Sequence, residues 1–276
     1  MNPLRTLFLI AAALGLSCFP CVSEQEQPAL WDASARRAGL RFMLRSNGRD
    51  EIIAEITNAS DKTVTTEIPA GLVCKLAGPD GGKVVTLRAA PMTIAAGGSV
   101  EFLIPAAALS GKIPAAMHDC TTTGESARNL APLLAWLALH PDVPRSTAQL
   151  AVLSLMEDIT FPQWRNFLLA AQPNPAPAGQ PAAAEIVQAV DALGILREVA
   201  PGKSPALATD AELKLRALRN PTTRAKAMQL YGITLPADDT GAAIAPEIGQ
   251  LLHLVPGDNC PVCRARARMQ QPPDVP

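Results

Sequence analysis

The chain has 276 residues, with 24 lysines and arginines against 25 aspartates and glutamates, and a formal net charge of −1 at pH 7. This near balance argues against binding to a nucleic-acid backbone, which requires clustered basic side chains. Aromatic residues make up only 4% of the chain, which is sparse for the stacking platforms of sites for sugars or single-stranded nucleic acids. The composition therefore predicts a globular protein without a nucleic-acid partner.

The first 23 residues have the pattern of an export signal. Arg5 precedes an apolar run from Leu7 to Leu16, and polar residues follow directly. The run is much shorter than the roughly 20 residues that a membrane-spanning helix needs. The pattern predicts an exported protein, periplasmic or extracellular, with no membrane span.

The end of this segment allows two kinds of processing. Cys21 and Ser23 suit the minus-three and minus-one positions of a leader peptidase site, which would start the mature chain near Glu24. The alternative is a lipid anchor at Cys18, although the residues before it match a bacterial lipobox only loosely. Simple cleavage is the favoured interpretation.

Residues 24–38 lead into a region, 39–120, of short alternating runs separated by turn residues. Asn47-Gly48 between residues 41–46 and 51–56 is typical of a β-hairpin turn. Further breaks rich in Gly and Pro divide the region into six or seven predicted strands. Short strands at such close spacing favour a small β-sandwich.

The turns of this region resemble those of bacterial exported proteins with Ig-like domains. The resemblance is carried by an Asn-x-Ser-Asp turn within 55–64, a Pro-Ala-Gly turn within 68–71 and a Gly-Gly turn within 95–102. It implies an α+β protein in which a small Ig-like antiparallel β-sandwich is followed by an α-helical C-terminal region. It brings no catalytic residue with it, since these motifs are turn chemistry.

After residue 120 the apolar residues recur with the period of helices. We predict a helical region over 126–172, a Pro/Ala-rich linker over 173–181, a second helical region over 182–256 and a C-terminal tail over 257–276. Within the first helix, Trp136 belongs to the predicted apolar face.

Helix starts are predicted from capping patterns. Ser146 and Gln149 form one capping box, and Thr209 and Glu212 form another. Thr160 is the predicted cap of the helix between them. His140 and His253 are predicted at helix ends, where a histidine interacts favourably with the helix dipole.

Four cysteines follow the leader: Cys74, Cys120, Cys260 and Cys263. In an oxidising compartment, four thiols suggest two disulfides with three possible connectivities. The simplest pairs Cys74 on a predicted strand with Cys120 just past the last predicted strand. Free buried thiols are the alternative.

The Cys-Pro-Val-Cys motif at Cys260 and Cys263 is the sharpest chemical signal in the chain. A structural disulfide is the favoured interpretation, and thiol-redox chemistry is one alternative. Zinc ligation together with His118 and Cys120 is another, since two thiolates, a His and a further Cys complete a tetrahedral set. Haem attachment is excluded because Arg264 replaces the required His.

No catalytic motif is found elsewhere, since the chain has no Gly-x-Ser-x-Gly, His-Glu-x-x-His or Gly-rich dinucleotide pattern. Lys203 and Ser204 resemble the end of a phosphate loop, but Pro205 blocks the helix that should follow, so they are interpreted as loop. Asp158 is interpreted as a turn-former. We therefore expect no cofactor, and a non-catalytic binding or scaffolding protein of the cell envelope or extracellular space with a protein partner. A thiol-redox or zinc-binding protein using the Cys-Pro-Val-Cys motif is the alternative.

Overall fold

The computed structural model describes residues 31–78, 81–111, 117–170 and 182–233. The strands are β1 (Leu40–Ser46), β2 (Glu51–Asn58), β3 (Val64–Ile68), β4 (Leu72–Leu76), β5 (Lys83–Thr86), β6 (Ala90–Ile94), β7 (Ser99–Ala108) and β8 (His118–Ser126). The helices are α1 (Trp31–Arg37), α2 (Ala131–Leu139), α3 (Arg145–Met156), α4 (Phe161–Ala170), α5 (Ala183–Val199), α6 (Ala206–Thr209), α7 (Ala211–Arg219) and α8 (Arg224–Tyr231). The predicted leader, the linker at 173–181 and the whole tail lie outside the described residues.

Six of these strands close into an antiparallel barrel in the order β1, β2, β7, β5, β4, β8. Strand β1 pairs with β2 on one side and with β8 on the other, which joins the two ends of the sheet. Strands β3 and β6 form a separate two-stranded sheet. The prediction of an Ig-like β-sandwich is therefore wrong, because a sandwich keeps two open sheets face to face. The protein is a mixed α+β protein built on a closed barrel.

Barrel closure depends on β8, whose sequence is mostly polar. Cys120 of this strand lies opposite Leu44 of β1 and opposite Leu76 of β4. Cys120 is thus within a strand and not past the last one, as the sequence had suggested. Gly124 has a φ of 70° where the register of β8 against β4 shifts, as in a β-bulge.

The Asn-x-Ser-Asp turn that carried the Ig-like resemblance has a structural role in the barrel. Asn58 is fully buried, and its amide donates to the carbonyls of Lys62, Ile94 and Ala95 at 2.7, 3.0 and 3.1 Å. Its Oδ1 accepts from the backbone N–H of Ser60 at 3.0 Å. One side chain thus ties the β2–β3 turn to the β6–β7 turn. Such local chemistry is compatible with either fold, which explains why the resemblance was misleading.

The barrel interior is filled by side chains. Barrels of about eight strands are just wide enough for side chains to fill them, and this one has six strands. Trp31 of α1, which belongs to the predicted lead-in, is 3% exposed and packs on Phe42 with ring centroids 4.8 Å apart. The large buried residues of the barrel strands include Ile52, Ile56, Leu72, Leu76 and Ile104, and Ile68 and Ile94 of the β3–β6 sheet belong to the same cluster. A ligand site must therefore be sought outside the barrel.

A second core joins the outer face of the barrel to the helices. Val73, Val85 and Ala107 of the barrel pack in one cluster with residues of α2 to α8. Gln149 of α3 fastens this contact, because its amide donates to the Ala108 carbonyl at 3.0 Å and accepts from the Ala108 N–H at 2.7 Å. None of the described helices is long and apolar enough to cross a membrane.

The capping predictions had mixed outcomes. The box at Ser146 and Gln149 is wrong, because α3 begins at Arg145 without a side-chain cap and Gln149 is buried against the barrel. At α4 the predicted cap is confirmed: Thr160 and Gln163 bond reciprocally, with the Thr160 N–H donating to Gln163 Oε1 at 2.7 Å. For α7 the cap is displaced by one residue. Asp210, not Thr209, accepts from the N–H of Leu213.

Candidate functional site

A cleft of about 410 Å³ opens in the helical layer, between α2, the α2–α3 loop, α3, α5 and α8. We call it the helical cleft and define it by Trp136, His140, Thr147, Gly194, Glu198 and Lys226. Its volume is near the lower end of the roughly 300–1,000 Å³ typical of ligand sites. A site of this size encloses a side chain or a small molecule better than it does a folded surface.

Trp136 and His140 form one wall of the helical cleft. They lie one turn apart at the end of α2, and their rings stack with centroids 3.7 Å apart and an angle of 15°. Nδ1 of His140 donates to the Trp136 carbonyl at 2.7 Å, which fixes the imidazole over the indole. The helix ends here because Pro141 cannot continue it. His140 is the C-cap residue of α2, so its predicted place at a helix end is confirmed.

Glu198 of α5 accepts a hydrogen bond from the Trp136 side of this aromatic pair. The indole N–H of Trp136 donates to Glu198 Oε2 at 2.7 Å. This bond joins α2 to α5 across the cleft and leaves the second carboxylate oxygen available. The rigid wall is therefore aromatic on its face and anionic at its edge.

Gly194 gives the helical cleft its depth. A Cβ at this position would lie 3.0 Å from Cε and 3.2 Å from Nζ of Lys226, so any larger residue would displace the end of that lysine chain. Lys226 of α8 is held by Asp191 at 2.7 Å. Glycine in a helix interior costs about 1 kcal/mol relative to alanine. The missing side chain of Gly194, in the middle of α5, thus leaves space between α5 and α8.

Thr147 lies at the α3 side of the cleft. The residue is 1% exposed, and its hydroxyl has no hydrogen-bond partner among the described residues. Buried polar groups are nearly always bonded, so an unpaired hydroxyl beside a cleft indicates a place where a ligand group can bind.

A second pocket of about 300 Å³ lies at the other end of α3, beside Asp158, Lys203 and Ser204. Asp158 has a φ of 52°, and its Oδ1 accepts from the N–H of Ala206 at 2.6 Å, which confirms its role in a turn. Lys203 and Ser204 lie between α5 and α6, so the loop interpretation is also confirmed. Its stated reason is wrong, because Pro205 is the N-cap of α6 and does not block a helix.

The Ser154 hydroxyl, which is also buried and unpaired among the described residues, lines this second pocket, whose aspartate is engaged by backbone. The helical cleft differs by adding an aromatic wall and a carboxylate to its unpaired hydroxyl.

Two thiols lie together inside the barrel. Cys74 and Cys120 are both buried and both free, on the neighbouring strands β4 and β8. The hydrogen bond between them and burial raise the pKa of the Cys74 thiol well above its usual range. Their disulfide stays a prediction, as does any pairing with Cys260 and Cys263, which lie outside the described residues.

The predicted zinc set is only partly described. His118 and Cys120 are both on β8, whereas the two tail cysteines lie outside the described ranges. Within those ranges no group of three His, Cys, Asp or Glu side chains is placed to hold a metal. Zinc ligation by the tail remains a sequence-based prediction.

Sequence reasoning did not identify the helical cleft as a site. Trp136 was assigned to an apolar helix face and His140 to a dipole interaction, and Thr147, Asp191, Gly194 and Lys226 were given no role. A partial signal was present, because Trp136 and His140 are four residues apart at a helix end and Gly194 interrupts a helical run.

Comparisons of the chain with protein-family models, with curated proteins and with solved structures each found no match.

Proposed function

We propose that this protein is an exported, non-catalytic binding protein that holds a segment of a partner protein in the helical cleft. The leader pattern of the first 23 residues supports export to the periplasm or the extracellular space. The helical cleft supports binding, since it combines an aromatic wall with a few convergent polar groups, the usual composition of a ligand site.

The observation that carries this proposal is the unpaired Thr147 hydroxyl beside the Trp136 and His140 stack. Leu139, 79% exposed at the rim, extends the apolar surface beyond the cleft. A bound segment would place one side chain in the cleft and a neighbouring apolar side chain on Leu139. This combination favours a peptide segment over a compact small molecule.

A peptide selection tests the proposal. A phage-displayed library of short peptides is selected on the immobilised full chain, and recovered clones are then measured on two variants. Gly194→Leu places a side chain in the cleft from a helical position where the added Cβ meets the flexible end of Lys226. Ala184→Leu adds the same side chain on the exposed first turn of α5 and is the matched control.

We expect peptides that bind the wild type and Ala184→Leu and that lose binding to Gly194→Leu. Circular dichroism of each variant checks that the helices are intact. Peptides that bind Gly194→Leu as tightly as the wild type, or a selection that yields no specific binder, would refute the proposal.

A further inference from the structure

We infer that the partner segment presents a basic side chain, lysine or arginine, to the helical cleft, next to an apolar residue. This inference rests on the proposed function and specifies the chemistry of the ligand. Its basis is the charge around the cleft, the position of Glu198 against the indole and the unpaired hydroxyl of Thr147.

Carboxylates outnumber cations at the helical cleft. Asp142, Asp191 and Glu198 line it together with Lys226. Lys226 is engaged by Asp191 at 2.7 Å, and neither Asp142 nor Glu198 has an ion-pair partner among the described residues. Arg88 donates to the His140 carbonyl at 3.0 Å but does not line the cleft. The two remaining carboxylates attract a cation and repel an anion.

The bond to the indole fixes where a cation would bind. Because the Trp136 N–H is bonded to one oxygen of Glu198, a cation bound to the other oxygen lies at the edge of the indole and not over a ring face, so the attraction comes from the carboxylate. Lysine and arginine side chains both carry the required charge. Their long apolar stems also suit a cleft lined by Val143 and Ile195.

The buried hydroxyl of Thr147 is independent evidence for a ligand in this place. It is 1% exposed and unpaired among the described residues, and it can accept a hydrogen bond from an ammonium or guanidinium N–H. An acidic cluster alone would be explained as a solvated surface. Together with a buried acceptor that lacks a donor, the carboxylates indicate a cationic occupant.

Fluorescence titration of the full chain tests the inference. Trp31 and Trp164 are 3% and 0% exposed, so a ligand that reaches the helical cleft should perturb mainly Trp136. The probes are three capped peptides of sequence Ala-Leu-X-Ala in which X is lysine, its neutral isostere norleucine, or glutamate. Pentylamine is a fourth probe, which carries the ammonium group without a peptide.

We expect the lysine peptide to bind about fivefold more tightly than the norleucine peptide, as for a partly exposed ion pair, and the glutamate peptide to bind most weakly. Glu198→Gln keeps an acceptor for the Trp136 N–H but removes the negative charge. In this variant the ratio between the affinities of the lysine and norleucine peptides should fall towards one. Glu101→Gln removes the same charge from the exposed outer face of β7 and should keep the preference. Added salt should reduce the preference of the wild type for the lysine peptide over the norleucine peptide.

The outcomes separate this inference from the proposed function. Equal binding of the lysine and norleucine peptides, or tighter binding of the glutamate peptide, overturns the inference and leaves the cleft as a peptide site. Pentylamine binding as tightly as the lysine peptide overturns the partner segment in favour of a small cation. Binding of none of the four probes, with no binder from the peptide selection, overturns both.

Discussion

Replacing Gln149 by leucine should weaken the contact between the helices and the barrel without changing the size of the buried side chain. Gln149 is 2% exposed, and both ends of its amide are bonded to the backbone of Ala108 at the end of β7. Leucine has nearly the same shape and is readily accommodated in an apolar core. The substitution therefore removes the hydrogen bonds and little else.

The free energy of unfolding should fall by about 1.5 kcal/mol. The buried Ala108 carbonyl loses its side-chain donor, which costs about 1–3 kcal/mol. The Ala108 N–H keeps a hydrogen bond to the Arg49 carbonyl at 2.9 Å. Losing its second bond, to Gln149, therefore costs the lower end of the about 0.5–1.5 kcal/mol that a typical hydrogen bond contributes. The added apolar area of leucine offsets about 1 kcal/mol.

Urea unfolding followed by tryptophan fluorescence and circular dichroism measures this change. Trp31 reports on the barrel core and Trp164 on the helical core, so variants in which Trp31 or Trp164 is the single tryptophan left of the chain's three show whether the parts separate. The midpoint of thermal unfolding should fall by about 3–6 °C for a domain of this size. Gln229→Leu on the exposed face of α8 is the matched control and should stay within about 0.5 kcal/mol of the wild type. A Gln149→Leu protein as stable as this control would show that the two hydrogen bonds to Ala108 do not stabilise the fold.

Three further predictions concern the thiols, the tyrosine and the leader. In the reduced, folded protein, Cys74 and Cys120 should react with iodoacetamide only after unfolding, because both are buried, and mass spectrometry showing either labelled beforehand would contradict this. Tyr231 is the single tyrosine of the chain, and burial raises its pKa to about 12. Tyrosinate absorbance should therefore appear only near pH 12, and the stability contributed by this group should be complete below pH 10 and decline between about pH 10 and 12, where the unfolded chain ionises first. Ionisation near pH 10 in the folded protein would be the opposite result. N-terminal mass analysis of the exported protein should find a start near Glu24, whereas a lipid-modified start at Cys18 would support the alternative processing.

The individual strands of the barrel were predictable because turns are encoded locally. Asn47 and Gly48 mark the β1–β2 hairpin, Gly48 has a φ of 72°, and the side chain of Asn47 bonds back to the N–H of Arg49 at 2.9 Å. Residues close in sequence decide such a feature. The pattern of turns and alternating runs therefore predicted most strand positions.

Closure of the barrel was not predictable in this way. It requires His118–Ser126 to pair with β1 and β4, which lie far away along the chain. This strand lacks the alternation of apolar residues that marks a half-buried strand, and threonines and charged residues dominate it. Its extended conformation follows from the two strands that it joins.

The helical cleft is also a product of tertiary packing. Trp136, Thr147, Gly194 and Lys226 come from four helices, and none of them belongs to a motif. Periodicity predicted the two helical regions that carry them, 126–172 and 182–256. How those helices pack depends on contacts such as that of Gln149, whose capping-box pattern suggested a different role.

The most direct test of the binding proposal is the nuclear magnetic resonance spectrum of the ¹⁵N-labelled full chain during addition of the lysine peptide. We expect the resonances of the indole N–H of Trp136 and the backbone N–H of Gly194 to shift, while that of the backbone N–H of Ala54 inside the barrel does not. Shifts confined to the barrel, or a spectrum unchanged at saturating peptide, would contradict the binding proposal.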